Sequence, residues 1–356
     1  MDPSFLIPDP DAIPVNWVWL QLLLTITTFL HLVAMNVLLG AACVALAAPL
    51  SGRGEEAGPL CRNIGEKLPY VMAFTINFGV APLLFLQVLY GQFFYTSSIL
   101  MAVYWLAIIG LLIVTYYAAY IFHLRYEDLG AVRSLLAGGI VLLLMVVAFF
   151  FCNNMSIMQL PESWVRYFSG GQGWQLNFAD PVLIPRFLHF IASAVAVGGL
   201  AVAVYYEHQR RQGDTGGERW IKYGCNWFTI ATIINFPIGF WFLGVLPSFA
   251  HNVETLVGIL FTVSLYGSVG AAVISVIHAQ RRRVYPAAGW ALGTVFFMTL
   301  ARDFVRIAYL NPYFSLSDLP VAPQYSPLIV FLIFLAAAGA LVWWMVKTVF
   351  CAQEVK

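Results

Sequence analysis

Apolar runs of about twenty residues recur from one end of this chain to the other, and a helix of that length crosses a hydrocarbon core of roughly 30 Å. That recurrence constrains the fold more than any single motif. Composition closes off the soluble alternatives: 61% of the 356 residues are hydrophobic and only 10% are charged. A soluble domain carries roughly 25% charged residues, so this chain cannot cover itself with a water-compatible surface. Nucleic-acid binding, a soluble enzyme and a disordered chain are poor explanations. The expected fold is an all-α polytopic membrane protein.

Polar breaks divide the runs into nine predicted helices, at about 15–50, 67–93, 97–123, 134–158, 181–207, 221–246, 252–279, 286–310 and 325–350. The basic residues sort by side. Arg53, Arg62, Lys67, Arg125, Arg133, Arg210, Arg211, Arg219, Lys222, Arg281, Arg282, Arg283, Lys347 and Lys356 fall on one side if the N-terminus is outside. The other side keeps only Arg166 in a loop, with Arg186, Arg302 and Arg306 inside helices. The positive-inside rule therefore predicts an N-out, C-in chain. Met1 to Pro14 carries Asp2, Asp9 and Asp11 and no basic residue, unlike the start of a cleavable signal peptide, so the chain is expected to be retained whole. No C-x-x-C or C-x-x-C-H is present, which removes a zinc pair and a c-type haem attachment site. Pro161 to Asp180 reads as an aromatic interfacial belt, and Ser169 to Gly173 as a turn-rich loop.

Helix one contains Phe29-Leu30-His31 with Gly40 nine residues on; helix five contains Phe187-Leu188-His189 with Gly198 nine residues on. Asn77 and Asn235 follow their histidines by 46 residues, so a single offset of 158 superposes all three pairs. The chain thus divides into an outer segment (1–14), a four-helix unit (15–158), an outer aromatic loop (159–180), a second four-helix unit (181–311), and a loop, ninth helix and inner tail (312–356). His31 is twenty residues from Ser51 and His189 eighteen from Glu207, roughly 30 and 27 Å at the helical rise. Both belong to the outer part of the bilayer.

An ionisable side chain inside a span is costly and points to function. Two readings stand: a neutral imidazole hydrogen-bonded to a neighbouring helix, or a ligand to iron, zinc or copper. No Cys or second His lies three or four residues from either histidine, against a compact zinc site, whereas haem needs one or two axial groups from separate helices. Arg186, three residues before His189, either meets a haem propionate or snorkels to the interface. Arg302, Asp303 and Arg306 in helix eight form either a site for propionates or a quinone head group, or a neutralised salt bridge joining helices.

Several segments resemble subunit I of cytochrome bd quinol oxidases: Thr27 to Gly40 around His31, Gly65 to Phe78, Met158-Gln159-Leu160-Pro161 and Arg186-Phe187-Leu188-His189. The resemblance implies that His31 is the axial ligand of an active-site haem and His189 an axial ligand of a low-spin haem b, in a prokaryotic cytoplasmic (inner) membrane. This chain departs from that family in having no acidic residue in 97–123, Ala301-Arg302-Asp303 where the family carries a glutamate ligand, and Leu310-Asn311-Pro312-Tyr313-Phe314 in place of G-R-Q-P-W. The outer loop between helices six and seven is only about Pro247 to Glu254, and helix seven has no methionine to serve as sixth ligand; His251 is the substitute nearby.

The expectation is a membrane electron-transfer subunit holding one or two haems b, ligated by His31 and His189 and surrounded by Arg186, Arg302, Asp303 and Arg306. It would act within an oxidoreductase complex, exchanging electrons near the outer face between quinone or quinol and a partner redox protein. A second membrane subunit or an outer-side protein such as a cytochrome c would be that partner. The alternatives are a bd-type quinol:oxygen oxidase subunit, and a cofactor-free transporter, anchor or scaffold, since repeats and polar groups within the membrane suit transporters as well.

Overall fold

The computed structural model describes residues 3–49, 54–130, 132–170, 172–214 and 216–353. Among them, nine helices are long and apolar enough to cross a membrane: α1 (Trp17–Ala48), α2 (Gly58–Leu100), α3 (Ala102–Leu124), α4 (Val132–Gln159), α5 (Leu183–Arg211), α6 (Glu218–Val245), α7 (Leu256–Gln280), α8 (Val284–Leu310) and α9 (Tyr325–Gln353). The chain is a multi-pass, all-helical membrane protein. Ser51, Arg53 and Lys356, used above to gauge depth and side, lie outside the described residues.

Local chemistry sets several helix ends. The Asn16 side chain accepts from Val18 N at 3.0 Å to start α1, and Thr255 accepts from Gly258 N at 3.1 Å to start α7, each satisfying an amide with no partner inside its helix. The second and third predicted helices need correction. In place of 67–93 and 97–123 with a loop between, α2 runs over 43 residues and only Met101 separates it from α3. Thr96, Ser97 and Ser98 look like a polar break. Their hydroxyls instead bond back to the carbonyls of Gln92 (2.7 Å), Phe94 (2.9 Å) and Phe94 (2.8 Å), so the helix absorbs them. Tyr90, at φ −133° and ψ 29°, kinks α2.

Helix α1 lies at the centre, packed against α2, α4, α5 and α8, while α5 pairs with α6 and α7 with α8. At the α1–α5 crossing Gly40 and Gly198 lie against each other. A Cβ on Gly40 would overlap the Ala194 carbonyl, and one on Gly198 would overlap the backbone of Gly40 and Ala41. Close approach through small residues is a main source of helix association in lipid. Helix α9 is different: none of its apolar window is fully buried, and the partly buried Leu328 packs against the body. The segment leading into it is tied to the N-terminal stretch by Ile13 N to Pro320 O (2.8 Å), Ala322 N to Ile13 O (3.0 Å) and Gln324 N to Pro14 O (2.8 Å).

The loop between α4 and α5 is only partly the belt predicted for it. Trp174 and Phe168 are exposed, but Trp164 is buried in the core beside Phe93 and donates from Nε1 to Ile157 O at 2.8 Å. Buried side chains at the end of α4 pin the rest. Asn153 Nδ2 donates to Gln175 O (3.3 Å), Asn177 N donates to Asn153 Oδ1 (2.7 Å), and Ser156 Oγ donates to Asp180 Oδ2 (2.6 Å).

Candidate functional site

His31 is half-buried on α1 and turned toward α2, where its Nδ1 lies 3.0 Å from Thr75 O. A carbonyl can only accept, so Nδ1 carries the proton and Nε2 keeps its lone pair, the tautomer that binds a metal through Nε2. Gly79, one turn past Thr75, makes the approach possible: a Cβ there would stand 2.8 Å from His31 Cε1 and 3.0 Å from Nδ1.

His189 repeats this placement on α5 with different partners. It too is half-buried and lies against a glycine of the next helix, where a Cβ on Gly239 would come within 3.3 Å of Nδ1. Asn235 is its polar neighbour. The Asn235 amide donates to Ser193 Oγ at 2.8 Å, while its Oδ1 and the buried Nδ1 of His189 are both unpartnered. A small rotation joining those two atoms would fix the same tautomer. The asparagines of the two units therefore differ in use, because Asn77 is exposed and bonds to Ala73 O of its own helix at 2.8 Å. Each histidine is nine residues from the glycine at the α1–α5 crossing, or roughly 13 Å along its helix.

Arg186 on α5 and Arg302 on α8 both reach side chains of α4, while Arg306 on α8 faces α2. Arg186 donates from NH2 to Gln159 Oε1 at 3.0 Å and its NH1 is buried without a partner. Arg302 points toward Met155, with NH2 3.7 Å from the sulfur. Arg306 is 1% exposed, sits 4.9 Å over the Tyr90 ring, is ion-paired with Asp303, and leaves Nε and NH1 unpartnered. Arg302 is within electrostatic reach of Arg186, Arg306, Asp303 and Cys152, and also of His31.

Asp303 is fully committed. Besides Arg306, its carboxylate accepts from Thr25 Oγ1 at 2.7 Å and from Gln21 Nε2 at 3.3 Å, and Tyr90 donates to Gln21 Oε1 at 3.3 Å. It joins α8 to α1 and α2 and fixes the side chain of Arg306. Neither Arg186 nor Arg302 has a carboxylate partner among the described residues. Asp180, also buried, lies with Arg186 near Tyr309, so the carboxylates nearby offset part of the positive charge, and a buried guanidinium without a direct ion pair remains costly.

His251 lies in a short 3-10 turn, Ser248–His251, beside the C-terminal end of α8, where Phe249 meets Tyr309 at 5.2 Å. No hydrogen bond or ring contact joins it to His189 among the described residues. No three His, Cys, Asp or Glu side chains among the described residues gather as a metal cluster, so the available ligands are single imidazoles on separate helices. Thr75 and Gly79 on α2 and Gly239 on α6 pack against those imidazoles, and sequence spacing alone assigns them no such role. In comparison with known proteins, no family model and no curated protein matches the chain.

Proposed function

We propose that the chain is a membrane electron-transfer subunit that holds haem b on His31 and His189 and exchanges electrons between a quinone pool and a partner redox protein. The observation that carries this reading is the setting of the two imidazoles. Each stands against a glycine of the next helix, and His31 spends Nδ1–H on a backbone carbonyl, leaving Nε2 for iron. The unpartnered guanidinium nitrogens of Arg186 and Arg306 are suited to carboxylates such as haem propionates, and Asp303 keeps Arg306 in place. Haem supplies the one-electron chemistry when bound; the chain supplies ligation, spacing and a dry, positively charged surrounding that favours the reduced state.

The resemblance to cytochrome bd subunit I supports the same assignment of the histidines and suggests a prokaryotic cytoplasmic membrane, a second membrane subunit and an outer-side partner such as a cytochrome c. The test is quinol addition under anaerobic conditions to the purified protein in lipid. A b-type reduced spectrum should develop with quinol and bleach when an oxidised cytochrome c is added. Haem that dithionite reduces and quinol does not would overturn the quinone exchange. Stoichiometric oxygen uptake would move the assignment to a quinol oxidase.

A further inference from the structure

Far along α5 from His189, a cavity of about 390 Å³ opens where the last turn of α5, the first turn of α6 and the α7–α8 connection come together. Its lining is almost wholly charged: Arg210, Arg219, Lys222 and Arg282 against Glu207 and Glu218. The acids are already engaged. Glu207 is held by Arg210 at 2.8 Å and Arg211 at 3.3 Å, and Glu218 lies 3.9 Å from Arg210. Arg219 has its own partner outside the cavity, Glu56 at 3.5 Å. Lys222 and Arg282 face the cavity with no carboxylate partner among the described residues.

Arg282 carries a second, independent observation. The α7–α8 connection closes with Arg282 N donating to Ala279 O (3.0 Å) and Arg283 N to His278 O (3.0 Å), the paired bonds of a helix end whose next residue is normally glycine. Here that residue is arginine, at φ +59°. A long side chain in the left-handed region is strained, and such strain concentrates at ligand clamps. The buried Cys225 lies close to the Arg282 side chain.

We infer that this cavity binds the phosphodiester headgroup of an anionic phospholipid, held chiefly by Lys222 and Arg282. The source of the phosphate is set by position. The cavity stands where four membrane-spanning helices end, and neighbouring guanidiniums lie over aromatic rings, Arg219 4.8 Å from Trp220 and Arg211 4.4 Å from Tyr285. Aromatic and basic residues together mark the headgroup level of a bilayer, and basic pockets between spans on that side take acidic headgroups. The inference does not depend on haem.

The test is native mass spectrometry of the delipidated full chain titrated with phosphatidylglycerol or phosphatidylcholine, with inorganic phosphate as competitor. Wild type should retain one phosphatidylglycerol about thirtyfold more tightly than the double variant Lys222→Gln/Arg282→Gly, the loss expected from two headgroup-level charges. Phosphatidylcholine should show no such difference, and inorganic phosphate should not displace the lipid. Arg282→Gly alone keeps the fold under control, because glycine is at home at φ +59°: its melting temperature should equal or exceed that of wild type while lipid retention falls. Equal retention of phosphatidylglycerol by wild type and double variant would overturn the inference. So would equal retention of the two lipids by wild type, or displacement by inorganic phosphate, which would reassign the cavity to a soluble anion.

Discussion

Asp303 and the two histidines are all ionisable groups within spans, yet they are used in opposite ways. Asp303 has every oxygen engaged, whereas His31 is held through Nδ1 alone and His189 Nδ1 is unpartnered. Asp303→Asn leaves Arg306 buried without its counter-charge, and breaking one half of such a pair costs about 3–5 kcal/mol. Unfolding in micelles should show that loss, and Asp303→Leu/Arg306→Met should recover most of it; a single variant that melts with wild type would mean the pair is no tie. Gly79→Ala is aimed at His31 alone. The added methyl would stand 2.8 Å from the ring, so the imidazole must shift, and the b-type absorption assigned to that site should be weakened or displaced while the His189 signal persists. An unaltered spectrum would argue against ligation by His31. The histidines and arginines were legible because charge is rare in apolar helices. Thr25, Gln21 and Tyr90 were not, because Asp303 selects them from helices more than two hundred residues away in sequence.

Among elements, the α1–α5 crossing is the least tolerant. At Gly40 the obstacle to a side chain is the Ala194 backbone, which cannot rotate away, and overpacking typically costs 1–3 kcal/mol and occasionally more. Gly40→Val should therefore destabilise the bundle by about 3 kcal/mol or abolish its folding in the membrane. Gly110, in α3 with nothing within 4 Å of an added Cβ, is the comparison: Gly110→Ala should be neutral or stabilising by up to about 1 kcal/mol. Melting curves of the two variants that coincide would contradict a close-packed crossing. Their common offset from a histidine marks Gly40 and Gly198 as equivalent positions of a repeat, though an offset carries no information about which helices touch. The sequence misjudged α2 for a physical reason: hydroxyl side chains in a span can satisfy themselves on the preceding turn, so a polar cluster need not end a helix.

At the scale of the molecule, eight helices form the packed body, and α9 is largely exposed beside it, with Leu328 packed against the core. Removing residues 325–353 should leave the melting temperature of the body and its haem content close to those of the full chain; a chain that loses haem on this truncation would show that α9 completes the site. The nine-span, all-helical architecture was readable from apolar run lengths alone, since the bilayer sets them. The convergence of Arg186 on α5 with Arg302 and Arg306 on α8 required the fold. The proposed electron-transfer role requires that His31 and His189 each ligate a haem iron. The most direct measurement is a reduced-minus-oxidised spectrum, with haem quantified per chain, for wild type, His31→Ala and His189→Ala purified under one protocol. About two b haems in wild type, with one lost in each variant, is the predicted result. A well-folded wild-type protein with no haem, or variants that keep the full complement, would contradict it.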